Sequence, residues 1–516
     1  MISKEAIRRG YNRGQYVVGA PTPPAYAATI STIGTTAELG QNSVYIEESL
    51  VAALRAATDE VLTSHQDIVT NTRDWWARTM IAETSGHPAT VEGVFVRVSS
   101  VEQVQAVMRL AHNAKVPVTI SAGRSNVTGA ALPLRGGIIL DVCNLNRFVS
   151  FDRDSQIIEV EAGLFGDVFE KTIQHDYGMT MGHWPSSFGI STIGGWIACR
   201  GAGQLSTRYG KIEDMVFGLD VVLADGSLIT VGNYPRAAIG PDLQQLFIGS
   251  EGTLGVIVRA RLKLHQLPDY GRAIAYGFKS FAIGLEACRL IMQSGATPAV
   301  LRLYDELESG VQFGLADSNV LLIADEGATE LVDAVIHISE KICAKLGDKL
   351  ESDTIFEKWL DTRYLTGKSA EGFKRSPGFV SDTLEMVGCW RDLPAIYDDV
   401  VTALKAIPGT LAGSAHQSHA YVDGACLYFS LRGEVEVSAR AAWYRAAWDA
   451  ANAVLIKHGA TLSHHHGVGL LRAPYMKESL RTAFPLFEAI KNTIDPHNLL
   501  NPGKLGLSLD MPRDRK

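Results

Sequence analysis

Three consecutive histidines, His464, His465 and His466, stand in the segment TLSHHHGVGLLR near the C-terminus. Imidazole binds divalent metals and titrates near pH 6.5, so such a run can serve as a metal site, a proton-transfer group or a plain turn. Adjacent residues of an extended segment point to opposite sides. We therefore expect His464 and His466 to share one side and His465 to face the other.

A metal site would need further ligands at workable spacing, usually supported by carboxylates. His416 and His419 stand in one other segment and could join the three histidines. The six cysteines are scattered, with no C-x-x-C pair: Cys143, Cys199, Cys288, Cys343, Cys389 and Cys426. This spacing argues against a zinc ribbon and against a disulfide framework.

Three loops rich in small residues are candidates for binding an anionic ligand. SAGRSNVTGA, residues 121–130, follows the apolar run VPVTI; the others are HWPSSFGISTIGGWIACRGAG, residues 183–203, and GSEGTLGVI, residues 249–257. Loops of this kind let backbone N–H groups approach a phosphate closely. The chain contains no G-x-G-x-x-G, P-loop or G-x-S-x-G motif. Three such loops suit one long anionic ligand, such as a flavin dinucleotide.

The size and charge of the chain limit the remaining function classes. Its 516 residues are 46% hydrophobic and carry a net charge of -8, which predicts two or three globular domains and no nucleic-acid partner. No apolar stretch reaches the roughly 20 residues of a membrane span. The first residues lack an apolar signal region, so we expect a cytoplasmic protein. Weak membrane contact and a homodimer stay open.

The elements that must position these loops alternate between short helices and strands, an α+β pattern. Ser100 and Gln103 have the spacing of a helix capping box. VPVTI, GGIILDV and QIIEVEAG are predicted strands, and residues 166–177 are a predicted helix. GLDVVLADGSLITV predicts a hairpin that turns at Asp225 and Gly226.

Two further segments have helical periodicity. Near the N-terminus the apolar face is formed by Leu50, Val51, Leu54, Ala57 and Val61. Near the C-terminus residues 476–494 predict one amphipathic helix that ends at Asp495 and Pro496. Longer helices begin after about residue 268. We therefore predict an N-terminal helical segment over 1–84, then domains over 85–268 and 269–455, and a C-terminal segment over 456–516.

The order of these motifs resembles the vanillyl-alcohol oxidase/p-cresol methylhydroxylase (PCMH-type) family of flavoproteins. The resemblance rests on AGRSNVTG, GHWPSSFGISTIGGWIACRGAG, RYGKIEDMV, GSEGTLGVI and DPHNLLNPGKL. Within the family, GHWPSSFGISTIGGWIACR, SHAYVDGACLYF and LSHHHGVGLLR look most like alkylglycerone-phosphate synthase. The resemblance implies a two-domain α+β fold, in which an FAD domain that the C-terminal segment completes is covered by an α+β cap domain.

The resemblance also implies which residues contact FAD. They are Ile120, Ser121, Ala122, Gly123, Arg124, Ser125, Asn126, Ser186, Ser187, Phe188, Gly189, Ile190, Ser191, Thr192, Cys199, Arg200, Gly201, Ala202, Glu251, Gly252, Thr253, Leu254, Gly255, Val256 and Ile257. Members with a covalent flavin often have a histidine in the first loop, where this chain has Arg124. We therefore expect non-covalent FAD.

For the reaction, the resemblance implies that Tyr428 is the acid/base and that His464, His465 and His466 line the site beside it. Taken alone, a tyrosine such as Tyr428 is more often a core aromatic than a catalyst, and only the resemblance reverses this. The resemblance makes His183 a substrate contact, although a structural role suits it equally well. A further substrate contact is expected from Arg375, with Arg363 as another candidate; Arg472 suits either an anion or the surface. Metal-binding relatives look as if they carry GDGNLH and an EHG glutamate, whereas this chain has YVDGACLY and His465. We expect no metal.

The first function hypothesis is flavin chemistry at an oxygen-bearing carbon of a small or lipid-like substrate. An alkylglycerone-phosphate-synthase-like enzyme would exchange an acyl chain for a fatty alcohol without net redox change. The alternative is an FAD-dependent oxidase or dehydrogenase of an alcohol or 2-hydroxyacid. A flavin-carrying binding protein is disfavoured, because the C-terminal motifs are dense in ionisable residues.

Overall fold

The computed structural model describes residues 43–72, 74–84, 92–363 and 376–510. The helices in these ranges are α1 (Glu48–Ala57), α2 (His65–Asn71), α3 (Ala77–Thr84), α4 (Val101–Ala114), α5 (Gly166–Thr172), α6 (Ile193–Cys199), α7 (Ser206–Tyr209), α8 (Ile212–Met215), α9 (Phe281–Gln293), α10 (Glu306–Phe313), α11 (Thr329–Cys343), α12 (Ser352–Thr362), α13 (Leu393–Lys405), α14 (Arg440–His458), α15 (Met476–Leu480) and α16 (Phe484–Ile494).

The strands form a four-stranded, a five-stranded and a seven-stranded sheet and one short pair. They are β1 (Glu60–Leu62), β2 (Val94–Arg97), β3 (Val118–Ser121), β4 (Ile138–Asp141), β5 (Phe148–Asp152), β6 (Ile157–Glu161), β7 (Met179–Thr180), β8 (Val216–Val222), β9 (Leu228–Gly232), β10 (Val256–Lys263), β11 (His265–Gln266), β12 (Tyr270–Phe278), β13 (Val300–Tyr304), β14 (Asn319–Gly327), β15 (Asp348–Lys349), β16 (Phe379–Cys389), β17 (Thr410–Ala420) and β18 (Gly424–Glu434).

The four-stranded sheet has the order β1-β2-β4-β3, with β2 and β3 parallel to β4. Its apolar side packs against α1 and α4. The predicted start of α4 is confirmed, because the Ser100 hydroxyl accepts the N–H of Gln103, and Lys115 in the left-handed region ends the helix. Val61, predicted on the face of α1, lies instead in β1; that part of the prediction is wrong.

The five-stranded sheet is antiparallel, in the order β5-β6-β10-β8-β9. The predicted hairpin is confirmed as β8 and β9, which turn at Asp225 and Gly226. Gly226 has a φ of 83°, which an L-residue adopts rarely, so glycine suits this turn. The predicted helix over 166–177 is also confirmed; it is α5 continued by the π-helical turn Ile173–Tyr177.

The seven-stranded antiparallel sheet has the order β15-β12-β14-β13-β17-β18-β16. Alternation along β13 places Leu301 and Leu303 in the core with α9, α11, α13 and α14. Val300 and Tyr304 face the opposite core, which includes the five-stranded sheet. The sheet face that carries Val300 and Tyr304 therefore packs against the FAD-loop half of the chain, which is the part that contains the three predicted FAD loops.

The C-terminal residues return to the four-stranded sheet. Leu500 forms a parallel bridge with Val118, and the buried Lys491 ammonium donates to the carbonyls of Thr253 and Leu500. The single helix predicted over 476–494 is wrong, because two helices, α15 and α16, occupy the segment. Arg481 lies at a φ of 49° between them, and Pro485 lacks the N–H that would continue the first helix.

The described residues bear on two expectations from the sequence, one about disulfides and one about membrane-spanning helices. All six cysteines are free, so the prediction of no disulfide framework is confirmed. Among the residues that the structure describes, no helix is long and apolar enough to cross a bilayer.

Candidate active site

A cavity of about 590 Å³ separates the FAD-loop half of the chain from the seven-stranded sheet. Pockets of this size bind small ligands and cofactors. One wall comes from the loop after β3 and from α6, and the other comes from β13, β16, β17 and β18. Residues from distant parts of the chain, between Trp75 and His466, thus line one cavity.

The first predicted FAD loop, residues 120–126, lies entirely on the cavity wall. In the described part of the chain, the buried Ser121 Oγ and Arg124 Nε have no hydrogen-bond partner. The backbone N–H groups of residues 123–125 likewise meet no acceptor among the described residues. Free donors on a loop that follows a strand are suited to a diphosphate. These residues therefore fit a dinucleotide.

The other predicted cofactor residues divide into two sets. On the wall are Ser186, Ser187, Ile190, Thr192, Cys199, Gly201, Ala202, Glu251, Gly252, Gly255 and Ile257. Behind it are Phe188, Gly189, Ser191, Arg200, Thr253, Leu254 and Val256. The Ser191 hydroxyl accepts the indole N–H of Trp196, a wall residue, at 2.6 Å. A Cβ on Gly194, also on the wall, would lie 2.8 Å from the Cβ of Ala162, so only glycine fits.

The opposite wall is organised by strand register. Tyr304 pairs with His416, His416 with Tyr428, and Tyr428 with Glu385, across β13, β17, β18 and β16. Residues directly opposite each other on neighbouring strands share a sheet face. The register therefore sets a row of two phenols, an imidazole and a carboxylate across the sheet.

Tyr428 makes the central contact of this wall. Its hydroxyl lies 2.7 Å from Nε2 of His466, and its ring stacks on that of His416 at 4.8 Å. Burial raises the pKa of Tyr428 above its usual value. Burial also lowers the pKa of His466 to about 4, although the Glu385 carboxylate acts in the opposite direction. The pair is therefore a neutral phenol beside a neutral imidazole near pH 7.

The histidine segment does not follow the alternation expected from sequence. His465 and His466 line the cavity together, whereas His464 lies behind them, with its Nε2 2.6 Å from the Tyr421 hydroxyl. The expected grouping of His464 with His466 is wrong, because the segment is bent rather than extended. The bend wraps the backbone around Glu385, whose carboxylate accepts N–H groups from all three histidines.

Ring nitrogens of His419, His464 and His465 lie within 4.8 Å of one another, a spacing that a metal ion could bridge. Burial holds the pKa of each of these three imidazoles well below 6.5. The Lys211 ammonium lies beside them and donates to the His464 carbonyl at 2.7 Å. A cationic neighbour opposes the binding of a second cation.

Arg302 is a wall residue that the sequence reasoning missed. One guanidinium nitrogen lies 2.7 Å from Nε2 of His416, and Nδ1 of His416 lies 2.7 Å from the carboxylate of Glu308. The Arg302 Nε is buried, and no described residue accepts from it. Its position in the strand VLRLY, where a charge interrupts apolar residues, was the available signal. An arginine on a cavity wall suits an anionic ligand.

The other predicted substrate residues have different outcomes. His183 is buried behind the wall against Trp196, with ring centroids 4.5 Å apart, and burial lowers its pKa to about 3. Arg363 lines the cavity, and its guanidinium lies 4.6 Å from the Trp359 ring centroid. Arg375 lies outside the described residues. Arg472 is fully buried, so the surface role considered for it is wrong.

One part of the wall is apolar. It lies near α3 and the first FAD loop and comprises Trp75, Ala77, Met80, Val127, Ala130 and Ala131. Trp75 therefore faces the cavity, whereas Trp76 donates its indole N–H to the Tyr444 hydroxyl in the core. The cavity combines this apolar region with the cationic Arg302 and the Tyr428–His466 pair.

Two known protein families match the chain. The FAD binding domain matches residues 93–232, and the C-terminal domain of FAD linked oxidases matches residues 267–505. The first contains the small-residue loops 121–130 and 183–203, and the third loop, 249–257, lies between the two matched regions. The second contains Arg302, Tyr428 and the histidine segment.

Several curated proteins are similar over most of their length. Alkyldihydroxyacetonephosphate synthase of Dictyostelium discoideum is 29% identical over 478 residues, which cover 85% of this chain and 77% of the relative. The glycolate oxidase subunit GlcD of Bacillus subtilis is 27% identical, with 78% and 87% covered. D-2-hydroxyglutarate dehydrogenase of Xanthomonas citri is 27% identical, with 80% and 89% covered.

Solved structures share the fold. A structure of alkyldihydroxyacetonephosphate synthase superposes with a TM-score of 0.75 at 24% identity, covering 95% of this chain and 90% of the other. p-Cresol methylhydroxylase with substrate bound gives a TM-score of 0.73 at 18% identity, covering 92% and 100%. At these identities the likeness establishes the two-domain architecture.

Proposed function

Because the chain belongs to the FAD-linked oxidases, with both their FAD-binding domain and their C-terminal domain, we propose that Tyr428 and His466 transfer a proton at an oxygen-bearing carbon of an anionic, lipid-like substrate. The reaction would resemble that of alkyldihydroxyacetonephosphate synthase, in which a fatty alcohol replaces an acyl chain without net redox change. The 2.7 Å contact between the two side chains on the cavity wall carries the proposal.

The FAD would be held by residues 120–126, by the start of α6 and by the loop that contains Glu251 and Gly252. When bound, FAD supplies electron-pair chemistry at the substrate carbon. The side chains of this chain then orient the substrate and move protons. Arg124 provides no imidazole for a covalent bond, so we propose that FAD is non-covalent. Acid precipitation should release the yellow flavin into solution, and flavin retained by the pellet would contradict this.

The proton step follows from the two protonation states. A phenol with a raised pKa does not persist as phenolate, so Tyr428 can accept a substrate proton only while it passes its own proton to His466. The His466 imidazole, with a pKa of about 4, is neutral and ready to receive it near pH 7. The Glu385 carboxylate stabilises the imidazolium that forms.

Arg302 would hold the anionic group of the substrate. Its side chain lines the same cavity, while the His416–Glu308 pair occupies one guanidinium nitrogen and fixes the plane of the group. Arginine binds phosphate or carboxylate through paired N–H groups. The apolar wall around Trp75 and Met80 suits an alkyl chain.

The second candidate is an FAD-dependent oxidase or dehydrogenase of an alcohol or 2-hydroxyacid. It is favoured by the similarity to the glycolate oxidase subunit and to D-2-hydroxyglutarate dehydrogenase. Arg302 would bind a carboxylate as readily as a phosphate, and Tyr428 with His466 would take the hydroxyl proton. The cavity wall is compatible with both reactions.

Two assays separate the candidates. Labelled fatty alcohol would be incubated with an acylated dihydroxyacetone phosphate and the FAD-loaded protein, and label in an ether product is expected. Under anaerobic conditions, simple hydroxyacids and alcohols should leave the flavin absorbance unchanged. Bleaching of the flavin without ether product would support the second candidate and contradict the first.

For the setting of the reaction we propose the cytoplasm, since six free cysteines suit a reducing compartment. Cell fractionation with an antibody to the chain tests this directly. The proposed partners are small-molecule or lipid-like substrates. A homodimer stays open and is measured by light scattering of the FAD-loaded protein.

A further inference from the structure

Glu385 lies in β16 and has no exposed surface. Five donors surround its carboxylate. It accepts the backbone N–H groups of His464, His465 and His466, the Ser463 hydroxyl at 2.7 Å and an Arg472 guanidinium N–H at 3.3 Å. A buried carboxylate with this many donors fixes the backbone that supplies them. The conformation of the histidine segment is therefore determined by a residue 79 positions earlier in the chain.

The same carboxylate faces the ring of His466. Nδ1 of His466 lies 3.6 Å from Glu385 Oε1 and has no hydrogen-bond partner in the described part of the chain. Nε2, on the other side of the ring, lies 2.7 Å from the Tyr428 hydroxyl. A neutral imidazole carries one proton. With that proton on Nδ1, the N–H faces the carboxylate and the Nε2 lone pair accepts the Tyr428 O–H.

The opposite tautomer would be unfavourable at Nδ1, because the lone pair of that nitrogen would face the Glu385 carboxylate. Nε2–H would then donate to the Tyr428 oxygen, and the ring could no longer accept the Tyr428 proton. At 3.6 Å the contact is electrostatic rather than a hydrogen bond. Contacts of this kind commonly tighten only when substrate is bound.

Strand pairing keeps the three side chains in this arrangement. Glu385 and Tyr428 are direct partners in the β16–β18 pair, whose register runs without a shift from Phe379 and Glu434 to Cys389 and Gly424. The phenol and the carboxylate therefore project from one face of two neighbouring strands. His466 is then inserted between them by the segment that Glu385 itself anchors.

We propose that Glu385 is the positioning residue of the proton pair: it holds the histidine segment in place and sets the Nδ1–H tautomer of His466, so that Nε2 accepts from Tyr428. The inference rests on the proposed function, in which this pair moves the proton. It assigns a task to a buried carboxylate that is not part of the described cavity wall.

Other groups around His466 do not supply this effect. Arg472 is the nearest cation and opposes protonation of the ring, and His465 is a neutral ring with its centroid 4.6 Å away. Asn126 donates to the His466 carbonyl at 3.5 Å, not to its ring. In the described chain, Glu385 is the carboxylate within salt-bridge distance of this imidazole.

Glu251 provides a matched control. It is also a buried carboxylate that anchors the histidine segment, because it accepts the N–H groups of Val468 at 2.5 Å and Gly469 at 2.8 Å. In the part of the chain that the structure describes, its hydrogen bonds go to the backbone of Val468 and Gly469 and not to the His466 ring. A change at Glu251 therefore disturbs the backbone of the segment without removing the carboxylate that faces Nδ1.

The test is ¹⁵N NMR of the FAD-loaded protein labelled on histidine, with the His466 signals identified by their loss in His466→Gln. The wild type should show His466 protonated on Nδ1. Glu385→Gln should lose that preference, whereas Glu385→Asp, which keeps the charge, and Glu251→Gln should retain it. In turnover, we expect Glu385→Gln to lose about 10- to 1,000-fold and Glu385→Asp to recover part of this loss.

A wild-type His466 protonated on Nε2 would overturn the proposal, even if Glu385→Gln failed to fold. So would an unchanged tautomer in a folded Glu385→Gln. The NMR measurement needs no substrate, so its result is independent of the proposed reaction. Normal turnover by Tyr428→Phe would refute the proposed function while leaving the tautomer assignment standing.

Discussion

Two imidazoles flank Tyr428, and they have different partners. His466 bonds to the phenol through Nε2, and its Nδ1 faces Glu385 at 3.6 Å without a hydrogen bond. His416 stacks on the phenol ring and is bonded on both nitrogens, to Arg302 and to Glu308, at 2.7 Å each. The His466 ring is therefore free to exchange a proton, whereas both nitrogens of the His416 ring are hydrogen-bonded.

The different partners of His466 and His416 indicate that the two imidazoles have different roles on the cavity wall. An imidazole held between a guanidinium and a carboxylate cannot accept a proton on Nε2 without losing its bond to Arg302. We infer that His416 orients Arg302 for the substrate anion. An imidazole bonded to a phenol in the cavity can receive a proton directly. His466 is thus the ring suited to proton transfer, and the following experiments test that division.

The largest effect is expected at the phenol. Tyr428→Phe removes the hydroxyl that bonds to His466 but keeps the ring that stacks on His416. Turnover should fall by about 100- to 10,000-fold, because a positioned acid/base is lost. FAD content should stay at the wild-type level. Near-normal turnover with full FAD would show that the hydroxyl has no role.

A smaller effect is expected at the anion site. Arg302→Met removes the guanidinium and should lower kcat/KM by about 100-fold, mainly by raising KM. Arg302→Lys is the matched control; it keeps the charge without the paired N–H groups and should be intermediate. If Arg302→Met lowered kcat alone, Arg302 would act on the chemical step instead.

A still smaller effect is expected at His416, the imidazole that is hydrogen-bonded through both nitrogens. His416→Asn keeps a side-chain amide beside Glu308 but loses the fixed bond to Arg302. We expect KM to rise by about 10-fold with kcat nearly unchanged, since the residue acts through Arg302. A fall in kcat comparable to that of Tyr428→Phe would mean that both imidazoles transfer protons.

The pH dependence should include the titration of His466. Its pKa is lowered to about 4, so the ring is neutral above that pH and becomes protonated below it. Burial raises the pKa of two carboxyls that line the same cavity, to about 6 for Asp382 and to about 7 for Glu251. We expect His466 to add a loss of kcat/KM only as the pH falls towards 4. An acidic limb near 6.5, the usual value for histidine, that is lost in His466→Gln would contradict the assignment of a low pKa to His466.

No effect is expected from metal removal. The sequence predicted no metal, and we propose the same despite the spacing of His419, His464 and His465, because the Lys211 ammonium lies beside them. Dialysis against a chelator should leave turnover and flavin absorbance unchanged. Lost activity that returns on adding zinc would refute this.

The sequence predicted what depends on local spacing. The loop 120–126 follows a strand and lies on the cavity wall as expected, and the hairpin at Asp225 and Gly226 formed as its turn residues require. The predicted FAD, fold and family are supported by the matched families and structures. The domain boundaries and the individual site roles stay predictions.

The sequence could not predict what depends on distant pairing. Arg302, His416 and Glu308 meet because β13 and β17 pair, which no local pattern records. The wrong grouping of the histidines has the same origin, since Glu385 bends their segment from another strand. The C-terminal helix was predicted whole because its apolar face continues through the break at Arg481.

The central claim is that Tyr428 and His466 act as one proton-transfer unit. It is tested most directly by comparing turnover of Tyr428→Phe, His466→Gln and the double variant, each loaded with FAD. Residues that act as a unit are not additive. We predict that the double variant is no slower than the slower single variant. Losses that multiply in the double variant would show that the two residues act independently and would contradict the account.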